Sequence, residues 1–345
     1  MESTQQHFKA IISNHGDESL YNSLSGEIER RLPIVPVSWQ RSFGRPAKEV
    51  ELQATFTKFD PTKLSTTSNP VQSASSILAS KPLLHTFWTS CLDNDKYKST
   101  VRNQILSWQK LLTEKQCENW LIIHVMYQDS SKLNKSKINL PRSSVYDKIK
   151  SEFNQKMQEK CLQLWEPDKE TLFTKSSESW DILLNQLRSL LVDSFGQHLD
   201  SFEERVRLTR EKYAHPDWPF LHYFLVHEEL ALTYQSITLR DDALIQYDEV
   251  DALLSQFIIN SAGRELPTWL QKFCAVPTNW DGVSVSNQNL ESYKELIKSG
   301  YASLIDFRNY VFARQCKLLM LMNRRYNCLL ILIMIMIITR TLLAL

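Results

Sequence analysis

The residues that could do chemistry are few, and their spacing decides what they can do. The loop SNHGDES (Ser13–Ser19) follows a short apolar segment and holds a lone Gly16. A phosphate-cradling loop needs several glycines, a Lys for charge and a Ser or Thr for magnesium. Here the Lys and the second Gly are missing, so nucleotide hydrolysis is not expected. His85 and His124 each stand among apolar residues in strand-like runs, where a histidine is more often a satisfied core residue than a ligand. His222 and His227 are five apart, not the four that a helical metal pair requires. The acidic pairs Glu228-Glu229 and Asp248-Glu249 are neighbours in sequence. On a helix such neighbours do not face each other, so they do not converge on one substrate. They read as solvated faces. No catalytic, cofactor-binding or metal-ligating residues are assigned from the sequence, and no cofactor is expected.

The cysteines agree. Cys91, Cys117, Cys161, Cys274, Cys316 and Cys328 form no CxxC and no zinc-spaced Cys/His cluster. They read as reduced, mostly buried thiols of a cytosolic protein. The N-terminal MESTQQHFKA has no signal-peptide pattern. Net charge is +1, which gives no reason to expect a nucleic-acid partner. The basic stretch Lys132–Lys137 reads as a solvated loop, at best a contact for an acidic partner or phosphoinositide head group. Nine tryptophans read first as core anchors and second as interface residues.

The 345 residues suffice for about two domains, 43% are hydrophobic, and only 7 are glycine. The low glycine count suits helices. Residues 8–13 read as a short strand, and the segment from Ser19 to Leu32 as an amphipathic helix stopped by Pro33 and Pro36. Lys48–Phe59 alternates as one strand, and residues 60–81 are Ser/Thr/Pro-rich, hence a mobile loop. Pro82–Cys91 is an inner strand and Lys96–Leu112 a helix. Trp120–Tyr127 (WLIIHVMY) is a continuous apolar run of the kind buried in parallel sheets. A helix from Ser143 to Met157 and a strand Cys161–Trp165 follow. This order predicts a doubly wound-like α/β domain over residues 1–175.

Residues 176–325 read as the start of an α-solenoid. A helix of about 30 residues, roughly 45 Å long, runs from Trp180 to Val206. Beyond it, Phe220, Phe224, Leu230, Tyr234 and Ile237, then Ala243, Tyr247, Val250, Leu254 and Phe257, recur at three and four. These stripes predict a helix pair turning at Leu239-Arg240, with Asp241 and Asp242 opening the second helix. The small/large order fits a tetratricopeptide-type pair, a unit that stacks and binds partners. After a loop around Pro267–Asp281, one long helix is expected from about Leu290 to Asn323. The tail, 326–345, carries eleven apolar residues from Cys328 to Ile338, fewer than the roughly 20 a membrane span requires. It reads as the exposed end of an incomplete solenoid or an altered C-terminus. The second reading is a marginal tail anchor with Arg340 snorkelling to the surface.

Several segments carry a resemblance. They are VPVSWQRSFGRPAKEVELQ (Val35–Gln53), WLIIHV, LPRSSVYDKI (Leu140–Ile149), FEERVRLTREK (Phe202–Lys212), the stretch Glu228–Asn260 with YDEVDALLSQ, and FRNYVFARQCKLLMLM (Phe307–Met322). Together they resemble the subunit 10 family of the TRAPP vesicle-tethering complex, from about Phe8 to Met322. The resemblance implies a non-catalytic subunit of the TRAPP II form. Its partners would be the other TRAPP subunits and, through them, a Rab GTPase whose nucleotide exchange the complex promotes. It also implies a cytoplasmic protein peripheral to Golgi membranes, from early Golgi to trans-Golgi. Family members extend far beyond this length, so it implies a fragment or a truncated isoform as well. The alternative of another class is a nucleotide-binding switch or enzyme built on the α/β domain.

Overall fold

The computed structural model describes residues 9–32, 34–41, 46–64, 81–127, 144–154, 159–167, 174–213, 215, 218–260, 265, 267–271, 273 and 287–324. The expected loop at 60–81 lies largely outside them, and the tail 326–345 entirely. The chain divides into two compact units, Met1–Gln197 and His198–Leu345.

In the first unit, five strands form one wholly parallel sheet: β1 Ala10–Gly16, β4 Ala54–Lys58, β5 Leu84–Thr89, β6 Trp120–Met126 and β7 Cys161–Trp165. Their order is β4-β1-β5-β6-β7. All seven residues of β6 are buried, which is why its sequence is apolar without alternation. Successive side chains of β5 face opposite ways, and its two aromatics show what covers each face. Phe87 meets Trp108 of α2 (Arg102–Glu114), ring centroids 5.5 Å apart. Trp88 meets Tyr21 of α1 (Glu18–Arg31) edge-on at 5.6 Å. On the Phe87 side, α2 and α3 (Val145–Phe153) add Ile105, Leu112, Ile149 and Phe153 to one core. Parallel strands covered on both faces by crossover helices are the doubly wound arrangement expected from the element order.

Three elements differ from expectation. The alternating run Lys48–Phe59 is two strands, because β3 (Lys48–Leu52) leaves the main sheet and pairs antiparallel with β2 (Ile34–Trp39). The strand β2 contains Pro36, which reads as a breaker. The register shifts between Ile34 and Val37, and a proline without an N–H is accommodated at such an irregularity. The helix expected from Trp180 starts earlier and ends later, as α4 Thr174–Arg210. The boundary between the two compact units falls inside it. The early part belongs to the sheet unit because its serines and tryptophan finish β7: Ser179 Oγ accepts from the Trp165 N–H at 3.0 Å, and the Trp180 indole N–H donates to the Trp165 carbonyl at 3.1 Å.

The second unit is helical. Helices α5 (Phe220–Ser236) and α6 (Arg240–Asn260) form the expected pair and pack together, with Ala243, Tyr247, Val250 and Leu254 buried. The single helix expected over Leu290–Asn323 is two, α7 (Asn287–Ser299) and α8 (Leu304–Leu321). Gly300, at φ +75, takes the left-handed position that ends α7. Ser303 and Asp306 then cap α8 reciprocally, Ser303 Oγ accepting from the Asp306 N–H and Asp306 from the Ser303 N–H. Helix α8 packs on α6 and α7. The expected loop near Pro267 includes one helical turn, Thr268–Gln271, whose Trp269 stacks on Phe220 at 4.6 Å. Among the described residues no helix is long and apolar enough to cross a membrane.

Candidate functional site

In an open α/β sheet, ligands bind at the carboxyl ends of the strands where the strand order reverses. Here that point lies between β1 and β5. There the end of β1 runs close against β5. A Cβ at Gly16, which has φ +100, would stand 2.2 Å from the Trp88 carbonyl oxygen. The next N–H, of Asp17, donates to that same oxygen at 2.9 Å. The lone glycine is therefore needed for strand-to-loop approach, a role that does not involve phosphate. A helix N-terminus attracts anions through its free N–H groups, but at α1 the Asp17 carboxylate already accepts from the Leu20 N–H at 3.0 Å. Glu18 follows it and pairs with Lys58 at 2.8 Å. A cleft of about 220 Å³ opens beside these residues, lined also by Asn14, His15, Tyr21 and Phe56. Two carboxylates stand at its mouth, and its lysine is engaged by one of them. That electrostatic setting repels a nucleotide triphosphate.

The strand histidines are packed and bonded. Ser13 Oγ lies 2.6 Å from His85 Nδ1. A serine beside a histidine is the start of a nucleophile–base pair, but Ser13 and His85 are 1% and 2% exposed. Burial pushes His85 down to about 4, so it stays neutral, and substrate has no route to either atom. The pair is a cross-strand core bond between β1 and β5. His124 Nε2–H donates to the Cys91 carbonyl at 2.8 Å, and its ring lies tilted against Tyr146 at 5.9 Å. Burial lowers its pKa as well. Cys91, Cys117, Cys161 and Cys316 carry free thiols. Burial raises the thiol pKa of Cys91, and that of Cys161 to about 12, the reverse of what a reactive thiolate needs. Among the described residues no group of three His, Cys, Asp or Glu side chains could hold a metal ion.

One acidic pair of the helical unit corrects the sequence reading, while Asp248 and Glu249 are exposed as expected. Glu228 and Glu229 are 3% and 8% exposed. They are not on a solvated face. Glu228 accepts from the Tyr310 hydroxyl and lies 3.4 Å from Lys294 Nζ, and Glu229 pairs with Arg205 at 3.3 Å. Asp248 accepts from Gln315 Nε2 at 2.7 Å. The partners missed by sequence reasoning sit on α8. Arg308, 2% exposed, donates to Ser255 Oγ at 3.0 Å and stands 3.7 Å from Asp251. Arg314 donates to the Tyr247 hydroxyl at 2.8 Å. The signal was present: Arg308, Asn309, Arg314 and Gln315 stand among the apolar residues of α8, and long polar side chains in such a setting need partners. These groups join helices to one another.

Residues 5–213 match the family model described as trafficking protein particle complex subunit 10-like, N-terminal. Trafficking protein particle complex subunit 10 of Mus musculus is 37% identical over 319 residues, 92% of this chain and 25% of that protein. The Drosophila melanogaster protein of the same name is 36% identical over 315 residues, 91% of this chain and 27% of that protein. In Oryza sativa subsp. japonica, the trafficking protein particle complex II-specific subunit 130 homolog is 23% identical over 316 residues, 92% of this chain and 24% of that protein. The chain spans about a quarter of the length of the curated relatives it matches.

Proposed function

Because the chain belongs to the trafficking protein particle complex subunit 10 family, we propose that it is a non-catalytic assembly subunit of that complex. The observation that carries this reading is the identity of 37% sustained over 92% of the chain, across both compact units. The geometry supports it. At the nucleotide-type edge of the sheet Gly16 packs against the Trp88 carbonyl and Asp17 caps α1, and His85, Glu228, Glu229 and Arg308 are engaged with internal partners. Under this reading the sheet unit is a rigid platform with a nucleotide-type topology and no nucleotide chemistry. The helical unit begins a solenoid whose tetratricopeptide-like pair offers surface to neighbours. Its partners are the other subunits. It meets a Rab GTPase through the assembly and sits on Golgi membranes peripherally, supporting vesicle tethering and Rab activation.

Co-expression with the small subunits of the particle tests the reading. The expected result is a stoichiometric complex on size-exclusion chromatography. Recovery only as a free monomer, with the small subunits assembled without it, would overturn the proposal for this chain. The nucleotide switch gives the opposite signature. A ligand at 100 times its dissociation constant stabilises by about 2.7 kcal/mol, so a melting shift with millimolar nucleotide and magnesium would revive that alternative.

A further inference from the structure

From Asp241 to Asn260, α6 contains five acidic residues and no Lys or Arg. Asp251 and Asp241 are matched within the chain, by Arg308 at 3.7 Å and Arg324 at 2.8 Å. Asp248 has only the neutral amide of Gln315. Among the described residues no cation pairs with Asp248 or Glu249. Both are exposed. The same outward face carries Ile245, 49% exposed, and Ile259, 64% exposed, with exposed Ala252 midway. These three stand at i, i+7 and i+14, so they line up along one side of the helix. Two isoleucines flanking a small residue at heptad spacing form a shallow seam of the kind that receives side chains of a second helix. Asp248 and Glu249 lie one turn before Ala252, beside the middle of that seam.

We propose that this face of α6 docks a basic amphipathic helix of another subunit, with aliphatic residues on the seam and Lys or Arg flanking them. The charge decides the occupant. A second copy of α6 would set Asp248 and Glu249 against like charges. An anionic lipid surface would repel them equally. A helix with Lys or Arg at the flanking positions meets both carboxylates while its side-chain stems cover the isoleucines. This inference rests on the assembly reading above and adds the surface and the chemistry of the partner.

The test uses the full chain co-assembled with the other subunits, carrying Ala252→Cys. Maleimide labelling at that position is read by mass spectrometry in the free chain and in the particle. The expected result is labelling at least tenfold slower in the particle, and at least tenfold weaker retention of the chain in Ile245→Asp/Ile259→Asp and in Glu249→Lys. A benzophenone attached at the same cysteine should cross-link to a Lys/Arg-rich helical segment of a different subunit. Equal labelling rates in an intact particle would overturn the inference and leave the assembly reading standing. Cross-linking to a second copy of this chain, or to an acidic segment, would overturn it as well. Failure of the unsubstituted chain to assemble would overturn both.

Discussion

In the sheet unit, Ser13, His85, Thr86 and His124 are buried, and each bonds within its own strand or to an adjacent strand or the loop following it: Ser13 with His85, Thr86 Oγ1 with the Ser13 carbonyl, His124 with the Cys91 carbonyl. In the helical unit, Glu228, Arg308, Gln315 and Tyr310 reach from one helix to another. The difference follows from the backbone. A parallel sheet fixes its register through ladder hydrogen bonds, so its core side chains can be plain and local. A helix satisfies its own backbone, and nothing in the backbone says how two helices slide past each other. Paired polar groups link α5, α6 and α8 here, and the register is expected to follow from them. A buried pair of this kind contributes little net stability but is costly to break.

The largest effect tests that assignment directly. Glu228→Ala would leave Lys294 and the Tyr310 hydroxyl without their acceptor in a position where Glu228 is 3% exposed. Loss of one partner of a buried pair costs about 3–5 kcal/mol, read as a lower denaturation midpoint of the helical unit alone. The double variant Glu228→Leu/Lys294→Met removes both charges, and should recover most of that loss. If the single variant is as stable as the parent, the polar links do not hold the helices.

The counterpart in the sheet unit is a backbone test. Gly16→Ala puts a methyl 2.2 Å from the Trp88 carbonyl oxygen at φ +100. Strain and forced displacement together cost about 3 kcal/mol. The loss should appear in the sheet unit and not in the helical one. A neutral outcome would mean that the β1–β5 junction has room that its geometry denies, and with it room for a ligand.

These two sites also show how far the chain could be read before folding. The strands β5, β6 and β7 and the helix pair were legible because their apolar periods are strong and uninterrupted. Gly16 was legible as lacking a phosphate role, but its contact with Trp88 joins residues 72 positions apart in sequence and leaves no local mark. The pair Glu228-Glu229 was misread for the same reason. Whether Glu228 is solvated depends on Tyr310 and Lys294, more than 60 residues away. The break between α7 and α8 is the opposite case. Gly300 and the Ser303–Asp306 box are local signals, overridden by apolar periodicity that continues across them. The β2–β3 ribbon was hidden by Pro36, and its pairing depends on where the neighbouring chain lies.

Acid should separate the two units by a smaller margin. Burial holds His85 at about 4 and lowers His124 too, in the sheet. Below the ordinary histidine value of about 6.5, the unfolded chain takes up protons that the folded sheet refuses. Stability therefore falls as pH drops from about 6.5 towards 4, by up to about 1.4 kcal/mol per pH unit for each such histidine. In the helical unit burial holds His227 at about 4 and also lowers His222, which acts the same way. Burial raises Asp251 there. The folded state then binds a proton before the unfolded one does, so part of the loss is offset as pH falls. From pH 7 down towards pH 4 the sheet transition should drop further than the helical one in urea titrations that resolve both. A larger drop in the helical unit would show that its carboxylates do not offset His227.

The smallest effect compares helix ends, where the two units solve one problem with different residues. Among the described residues four C-termini close with the same pair of bonds around a left-handed residue, the fourth being α8, where the Asn323 and Arg324 N–H groups reach the Met320 and Leu319 carbonyls. At α2, the Gln116 N–H reaches the Thr113 carbonyl and the Cys117 N–H the Leu112 carbonyl. At α5, Thr238 and Leu239 reach Gln235 and Tyr234, and at α7, Gly300 and Tyr301 reach Ile297 and Leu296. Only α7 uses glycine. Thr238 sits at φ 66 and Gln116 at φ 56, a region that costs an L-residue roughly 1–2 kcal/mol and a β-branched one the most. Glycine relieves that strain but adds freedom to the unfolded chain, worth about 0.4–1 kcal/mol in the other direction. Thr238→Gly should therefore stabilise the helical unit by a net 0.5–1 kcal/mol or so, and Gln116→Gly the sheet unit by less. The order matters more than the size. If Gln116→Gly gains more than Thr238→Gly, the threonine is not the strained cap, and the α5–α6 turn is held by something other than its backbone bonds.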